Sequence, residues 1–218
     1  MNTKTLEALV NVEDPAIVLI RQWVESAENP CEILPPSNVR EEVLLDVQVT
    51  THSTLGALAY ETGGILVDHG WVRFLGSGHP KLERTLSAWN RGRSDGLYLV
   101  ADDAVGGFFA LNGGAFGNDT HNVYYWPPDG LEWEPLGMGL TDFFRWSLTS
   151  RLADFYQDLR WPTWKDDLAR LFPDRCFNFY PFLWTSQGSL EGSDRRPIPA
   201  AEAFDLKVDI VRQLRQTS

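Results

Sequence analysis

The sequence predicts an α+β fold, a mainly antiparallel central sheet with helices packed around it. Three observations carry this. Between Leu97 and Leu136 four β-prone runs follow one another, separated by turn residues. Upstream, Ile65-Leu66-Val67 and Trp71 to Leu75 flank Asp68-His69-Gly70, a hairpin signature. On both sides of these runs, apolar residues recur at helical spacing instead. Helices gathered on an antiparallel sheet follow.

In chain order, Thr5 to Val10 suits a short opening helical turn. Asp14-Pro15 starts a helix, with Asp14 as N-cap and Pro15 at the first helical position. Ile17, Ile20, Trp23 and Val24 lie along it, and Asn29-Pro30 stops it. Cys31 to Leu34 is a brief extended piece. Asn38 and Glu41 have capping-box spacing for a helix covering Val43, Leu44 and Val47. Ser53 to Thr62 is a third helical segment, ended by Gly63-Gly64. Leu82, Leu86 and Trp89 share one face of a short helix, and the segment Arg91 to Gly96 leads into the central sheet.

Within that sheet, Leu97 to Val100 and Phe108 to Leu111 are joined by Asp102-Asp103-Ala104-Val105-Gly106-Gly107, a turn composition in which Asp bonds its own backbone and Gly takes positive φ. Val123 to Trp126 is the third run, closed by Pro127-Pro128-Asp129-Gly130. Leu131, Trp133 and Pro135 alternate with Glu132 and Glu134 as a fourth strand. Pro135 places that strand at an edge. Thr141 caps a helix carrying Phe143, Phe144, Trp146 and Leu148, and Ser150 to Arg160 continues helically. Thr163 with Asp166 starts another helix. Cys176 to Trp184 is extended, Ser186 to Pro197 a polar loop, and Pro199 to Gln216 a terminal helix. No repeat or linker divides the chain, so residues 1–218 form a single domain.

Composition narrows the function. The chain has 43% hydrophobic and 22% charged residues, an ordinary globular balance. Its formal net charge of −11 opposes direct nucleic-acid binding and would steer a basic protein partner toward it. Cys31 and Cys176 form no CxxC pair and read as free thiols of a reducing compartment. The N-terminus carries acidic residues where a signal peptide is apolar, and no run reaches the roughly 20 apolar residues that span a bilayer. A cytoplasmic protein without membrane attachment is expected. The nine Trp and twelve Phe leave homodimerisation through exposed aromatics open.

No catalytic motif emerges. Asp102-Asp103 lacks the third group and pocket of a carboxylate catalyst and the extra oxygens of a hard-cation site. His52, His69, His79 and His121 have no HxxxH or HExxH spacing. Gly76-Ser77-Gly78 is not a nucleophile elbow, and no phosphate loop follows Gly106-Gly107 or Gly113-Gly114. No metal site or cofactor is expected. Trp126, Asp129, Trp133 and Glu134 combine aromatics and carboxylates around one turn, a composition suited to an interface. Together with Asp102 and Asp103 on the adjacent hairpin, they form the expected binding rim.

The order helix, ILPPS, helix, YETGGILVDHGW, LYLVADDAVGGFFALN, NVYYW, GLTDFFRW resembles the bacterial domain-of-unknown-function family twenty-six twenty-five over nearly the whole chain. Thr50-Thr51 and Phe179 to Trp184 add to the likeness. A more distant resemblance is to the SUKH superfamily, which includes a cell-wall-synthesis regulator and many immunity proteins. It rests on Leu34-Pro35 after the first helix, the hairpin Val100 to Gly107, and Leu140 to Phe144. Gly63-Gly64 stands where Asn-Gly is usual, and the tail from Ser186 has no counterpart. That resemblance implies a SUKH-like fold and a protein-binding module, an immunity-type protein neutralising a toxin. The expected function is therefore a non-enzymatic binding protein. The alternative is an enzyme or small-ligand-binding protein whose pocket is assembled from distant loops.

Overall fold

The computed structural model describes residues 3–93 and 95–217. Met1, Asn2, Ser94 and Ser218 lie outside them, including the one residue of the 91–96 connection not described. Its frame is a seven-stranded antiparallel meander in which every strand pairs with the next in sequence. The strands are β1 (Cys31–Leu34), β2 (Gly64–Val67), β3 (Val72–Leu75), β4 (Leu97–Asp103), β5 (Phe108–Asn112), β6 (Asn122–Trp126) and β7 (Glu134–Gly139). The hairpin at Asp68-His69-Gly70 forms as expected, with all three residues at positive φ (51°, 62° and 83°) and Gly70 N–H donating to Val67 O at 3.2 Å.

Two features of the central stretch differ from expectation. Asp102 and Asp103 belong to β4, not to the turn, which begins at Ala104. The polar pair continues the strand because each carboxylate finds buried donors. The fourth strand begins at Glu134, not Leu131. Leu131 to Trp133 stays in the connection because the Trp133 ring turns inward onto Trp126, with centroids 5.2 Å apart. Pro135 does sit in the edge strand.

The register places two opposite rows across the sheet. Phe74, Ala101, Phe109 and Tyr125 are successive neighbours on one face. Over them lies α6 (Leu140–Ser147), whose Phe143 and Phe144 meet Phe74 at 5.3 and 5.1 Å. With α6 stands α4 (Thr54–Glu61), tied to it by the hydroxyls of Thr54 and Thr141 at 2.8 Å. Thr141 is thus a helix–helix contact and not the expected cap, a position held by Gly139. The opposite row is Leu66, Arg73, Asp102, Phe108 and Trp126. It is covered by α5 (Leu86–Asn90) through Trp89 and by α9 (Ala200–Thr217) through Phe204. An antiparallel sheet commonly leaves one face to water. Here both are covered at the centre, so β2 and β3 are buried at every residue.

The remaining helices pack at the margins: α1 (Leu6–Leu9), α2 (Ile17–Glu25), α3 (Arg40–Val47), α7 (Arg151–Phe155) and α8 (Trp164–Leu168). Thr5 and Ser53 cap α1 and α4 through their hydroxyls. Asn38, Asp14 and Thr163 make no cap hydrogen bond. The N-caps of α2 and α3 are Ala16 and Val39, and the Thr163 hydroxyl donates to Asp167 at 2.9 Å. A separate two-stranded ribbon pairs β8 (Arg175–Tyr180) with β9 (Asp194–Pro199). The second strand replaces the end of the expected loop 186–197. Its charged run Asp194-Arg195-Arg196 carries no apolar alternation, so backbone pairing alone marks it.

Candidate functional site

The expected rim of two adjacent turns does not form. Asp102 and Asp103 are 1% and 0% exposed and serve the interior. Arg73 Nε donates to Asp102 Oδ1 at 2.7 Å, and Arg84 Nη1 donates to Oδ2. Arg84 also reaches Asp174 at 2.6 Å, and Arg73 Nη1 reaches Arg175 O at 2.8 Å. These bonds fasten the C-terminal ribbon to the middle of the sheet. Burial alone would lower the Arg84 pKa, but Asp102 and Asp174 outweigh it and raise it, so the guanidinium stays charged.

Asp103 faces the other side. Its Oδ2 accepts from Tyr125 and Tyr156 hydroxyls at 2.7 and 3.0 Å, and its Oδ1 from Val105 and Gly107 amides at 3.0 and 2.7 Å. Burial pushes the Asp103 carboxyl up, against the Tyr125 hydroxyl, the Gly107 and Val105 amides and the nearby Arg73 charge. Burial, then the nearby Asp103 charge, pushes both tyrosines well above their ordinary value, so they remain donors. A Cβ at position 107 would lie 2.2 Å from Asp103 Oδ2, which makes glycine necessary there. Asp102 and Asp103 are therefore framework.

Trp126 and Trp133 do come together, in a cleft of about 1100 Å³ beneath α9. Trp126 ends β6 on the α9 face, where Phe204 meets it edge-on at 5.8 Å. Trp133 lies beside it, and Phe116 from the β5–β6 loop packs on Trp133 at 5.2 Å. Asn112 organises that loop: its Oδ1 accepts from Gly114 and Phe116 amides, and its Nδ2 donates to Gly117 O and Asp119. The hydroxyl of Tyr124 holds the Asp119 carboxyl below its usual range. Val208 and Val211 of α9 complete the apolar lining, and Asp95, Glu132, Arg212 and Arg215 add charges of both signs to it. Arg93 is engaged with Asp205 at 3.2 Å. Asp129 and Glu134 are exposed and lie outside the lining.

The sequence reading missed Lys207. It is 3% exposed, with Nζ donating to Pro127 O at 2.5 Å. Its ammonium stands 4.6 Å from the Trp126 ring and 5.8 Å from Trp184. Burial brings its pKa down to about 7, although Asp103, Asp129 and Cys176 act in the other direction. A signal was present: position 207 falls between Phe204 and Val211 on the apolar stripe of α9, where a cation is out of place.

The other candidates stay dispersed. Burial raises the thiols of Cys31 and Cys176 to about 11 and about 12, the chemistry of inert cysteines. Among the described residues no group of three or more His, Cys, Asp or Glu is placed to hold a metal ion. Likewise, no helix is long and apolar enough to cross a membrane.

The fold and cleft define a class: a two-face-covered antiparallel meander with a C-terminal ribbon and a helix closing one side. The chain belongs to the family described as Protein of unknown function DUF2625, whose profile matches residues 6–203. It is 41% identical over 208 residues to the uncharacterized protein YbfG of Escherichia coli K12, covering 94% of this chain and 95% of that protein. It is also 41% identical over 188 residues to an uncharacterized protein of Haemophilus influenzae, covering 83% of this chain and 82% of the relative.

Proposed function

We propose that the protein acts by binding, and that the cleft beneath α9 receives a segment of a protein partner. One observation carries this reading: an open, aromatic-floored cleft of about 1100 Å³ with charged walls. That volume exceeds the few hundred to roughly 1,000 Å³ of ordinary small-molecule sites. Trp126 and Trp133 supply the anchor type favoured at interfaces. The acidic turn carrying Asp129, Glu132 and Glu134 beside the cleft, with the formal charge of −11, suits a partner segment with an apolar residue flanked by Lys or Arg. An immunity-type role, the neutralising of a toxin, is the specific form suggested by the SUKH-like element order.

The test is site-specific photo-crosslinking in cells of the source organism, with the crosslinker at position 133 or 211. The control position is Val18, exposed on α2. The expected result is one discrete adduct from the two cleft positions, absent from the control and lost on Val208→Glu. Equal adducts from all three positions, or an adduct indifferent to Val208→Glu, would refute the assignment.

A further inference from the structure

The helix that bounds the cleft divides into two halves. Ala200, Ala203, Phe204 and Lys207 are buried, whereas residues 212–216 are all exposed and Leu214 is 51% exposed. Phe204, Val208, Val211 and Leu214 recur at spacings of three and four residues, so the apolar stripe runs on past the buried part of α9. Leu214 stands between Arg212 and Arg215. This is the chemistry that suits the acidic turn beside the cleft, an apolar residue with basic neighbours.

Charge is segregated along the same helix. Glu202, Asp205 and Asp209 precede Arg212 and Arg215, and no acidic residue follows Asp209. Two copies of α9 laid antiparallel set each basic end beside the other's acidic half, whereas a parallel pair sets like against like. The antiparallel pair also closes under two-fold symmetry, with one patch used by both chains. Within the chain, Arg212 meets Asp209 at 3.2 Å, but both side chains are exposed, so that contact is worth little and is readily exchanged. Size agrees as well. Residues 208–217 of α9 make a rod about 15 Å long and about 10 Å across, roughly 1,200 Å³ in all. The cleft measures about 1100 Å³. Its Phe116 and Trp133 offer apolar surface to such a helix, and its Asp95 and Glu132 offer carboxylates to the arginines.

We infer that the occupant of the cleft is the C-terminal half of α9 from a second copy of this chain, the two helices antiparallel and each seated in the other's cleft. This names the partner for the protein-binding reading of the cleft and rests on that reading. A segment of any other protein enters only by displacing that helix.

The test is sedimentation equilibrium of the full chain over a wide range of micromolar concentrations. The expected result is a dimer whose association weakens at high salt. Leu214→Glu should weaken it by at least about a hundredfold, since the change falls twice in a two-fold interface. The site is exposed, so the far-UV spectrum should not change. Two charge-reversed chains, Arg212→Glu with Arg215→Glu and Asp205→Lys with Asp209→Lys, should each be monomeric alone and form a dimer when mixed. A photo-crosslinker at position 133 of the purified protein should join two copies, with the captured peptide inside residues 208–217. A monomer at every concentration, a dimer indifferent to Leu214→Glu, or a mixture of reversed chains that stays monomeric would overturn the second copy as occupant. A monomeric pure protein that still gives one discrete cellular adduct with a different chain would overturn this inference and leave the protein-binding reading of the cleft standing.

Discussion

Replacing Lys207 by Met removes a cation that the fold holds at a cost, and the cost depends on pH. An ordinary lysine titrates at 10.5 and this one at about 7, so the folded protein binds fewer protons than the unfolded chain between those values. The sign is the reverse of a salt-bridged lysine. Stability rises as pH climbs through 7 and levels off near the unfolded value. The full difference corresponds to about 5 kcal/mol, and the portion between pH 6 and pH 9 to about 3 kcal/mol. The residue is 3% exposed, so solvent screening removes little of this. Urea denaturation at intervals from pH 6 to pH 9 measures it. The wild type should gain about 3 kcal/mol over that range relative to Lys207→Met. Subtraction of the variant cancels the titrations both proteins share, including the two thiols. Parallel curves for the two proteins would show that Lys207 is not desolvated and would refute the reasoning.

Other outcomes follow from the buried framework. Arg73→Met strips Asp102 of one partner and frees the carbonyl oxygens of Asp103 and Arg175. A loss of about 3–5 kcal/mol is expected in chemical denaturation, with faster proteolysis within the 175–199 ribbon. Gly107→Ala forces a methyl against Asp103 and Tyr125, and should lower stability by about 3 kcal/mol or more with the far-UV spectrum retained. At pH 8 neither cysteine should react quickly with a thiol reagent in the folded protein. Half-buried Cys31 should react before Cys176, and both at once in denaturant.

Most strands and helices could be read from the sequence because their signals are local. The β-prone runs at Leu97, Phe108 and Val123, the turn at Asp68-His69-Gly70 and the apolar stripe of α9 each lie within a few residues. What escaped depended on distant partners. Asp102 and Asp103 have turn chemistry by composition, yet Arg73, Arg84, Tyr125 and Tyr156 draw them into the core. The strand β9 owes its pairing to β8 and not to its own pattern. Of the candidate site, Trp126 and Trp133 were legible as aromatics at a turn. Phe116 was not, since the turn network of Asn112 places it; Lys207 was marked only by its place on the apolar stripe of α9, and its partners Pro127 and Trp184 come from distant segments.

A meander of this kind ends in two strands, each with one flank lacking a neighbour in the sheet. At β7 that flank belongs to a strand bearing Glu134, Pro135 and Gly137, the last at φ 68°. Proline offers no amide hydrogen, and the left-handed glycine bends the row of backbone groups out of line. At β1 the terminal strand is only four residues long and carries Glu32, paired with Lys81 at 2.5 Å. A strand arriving from a neighbouring molecule meets interrupted or charged backbone at either end, so growth of the sheet from chain to chain is discouraged by the same residues that finish it.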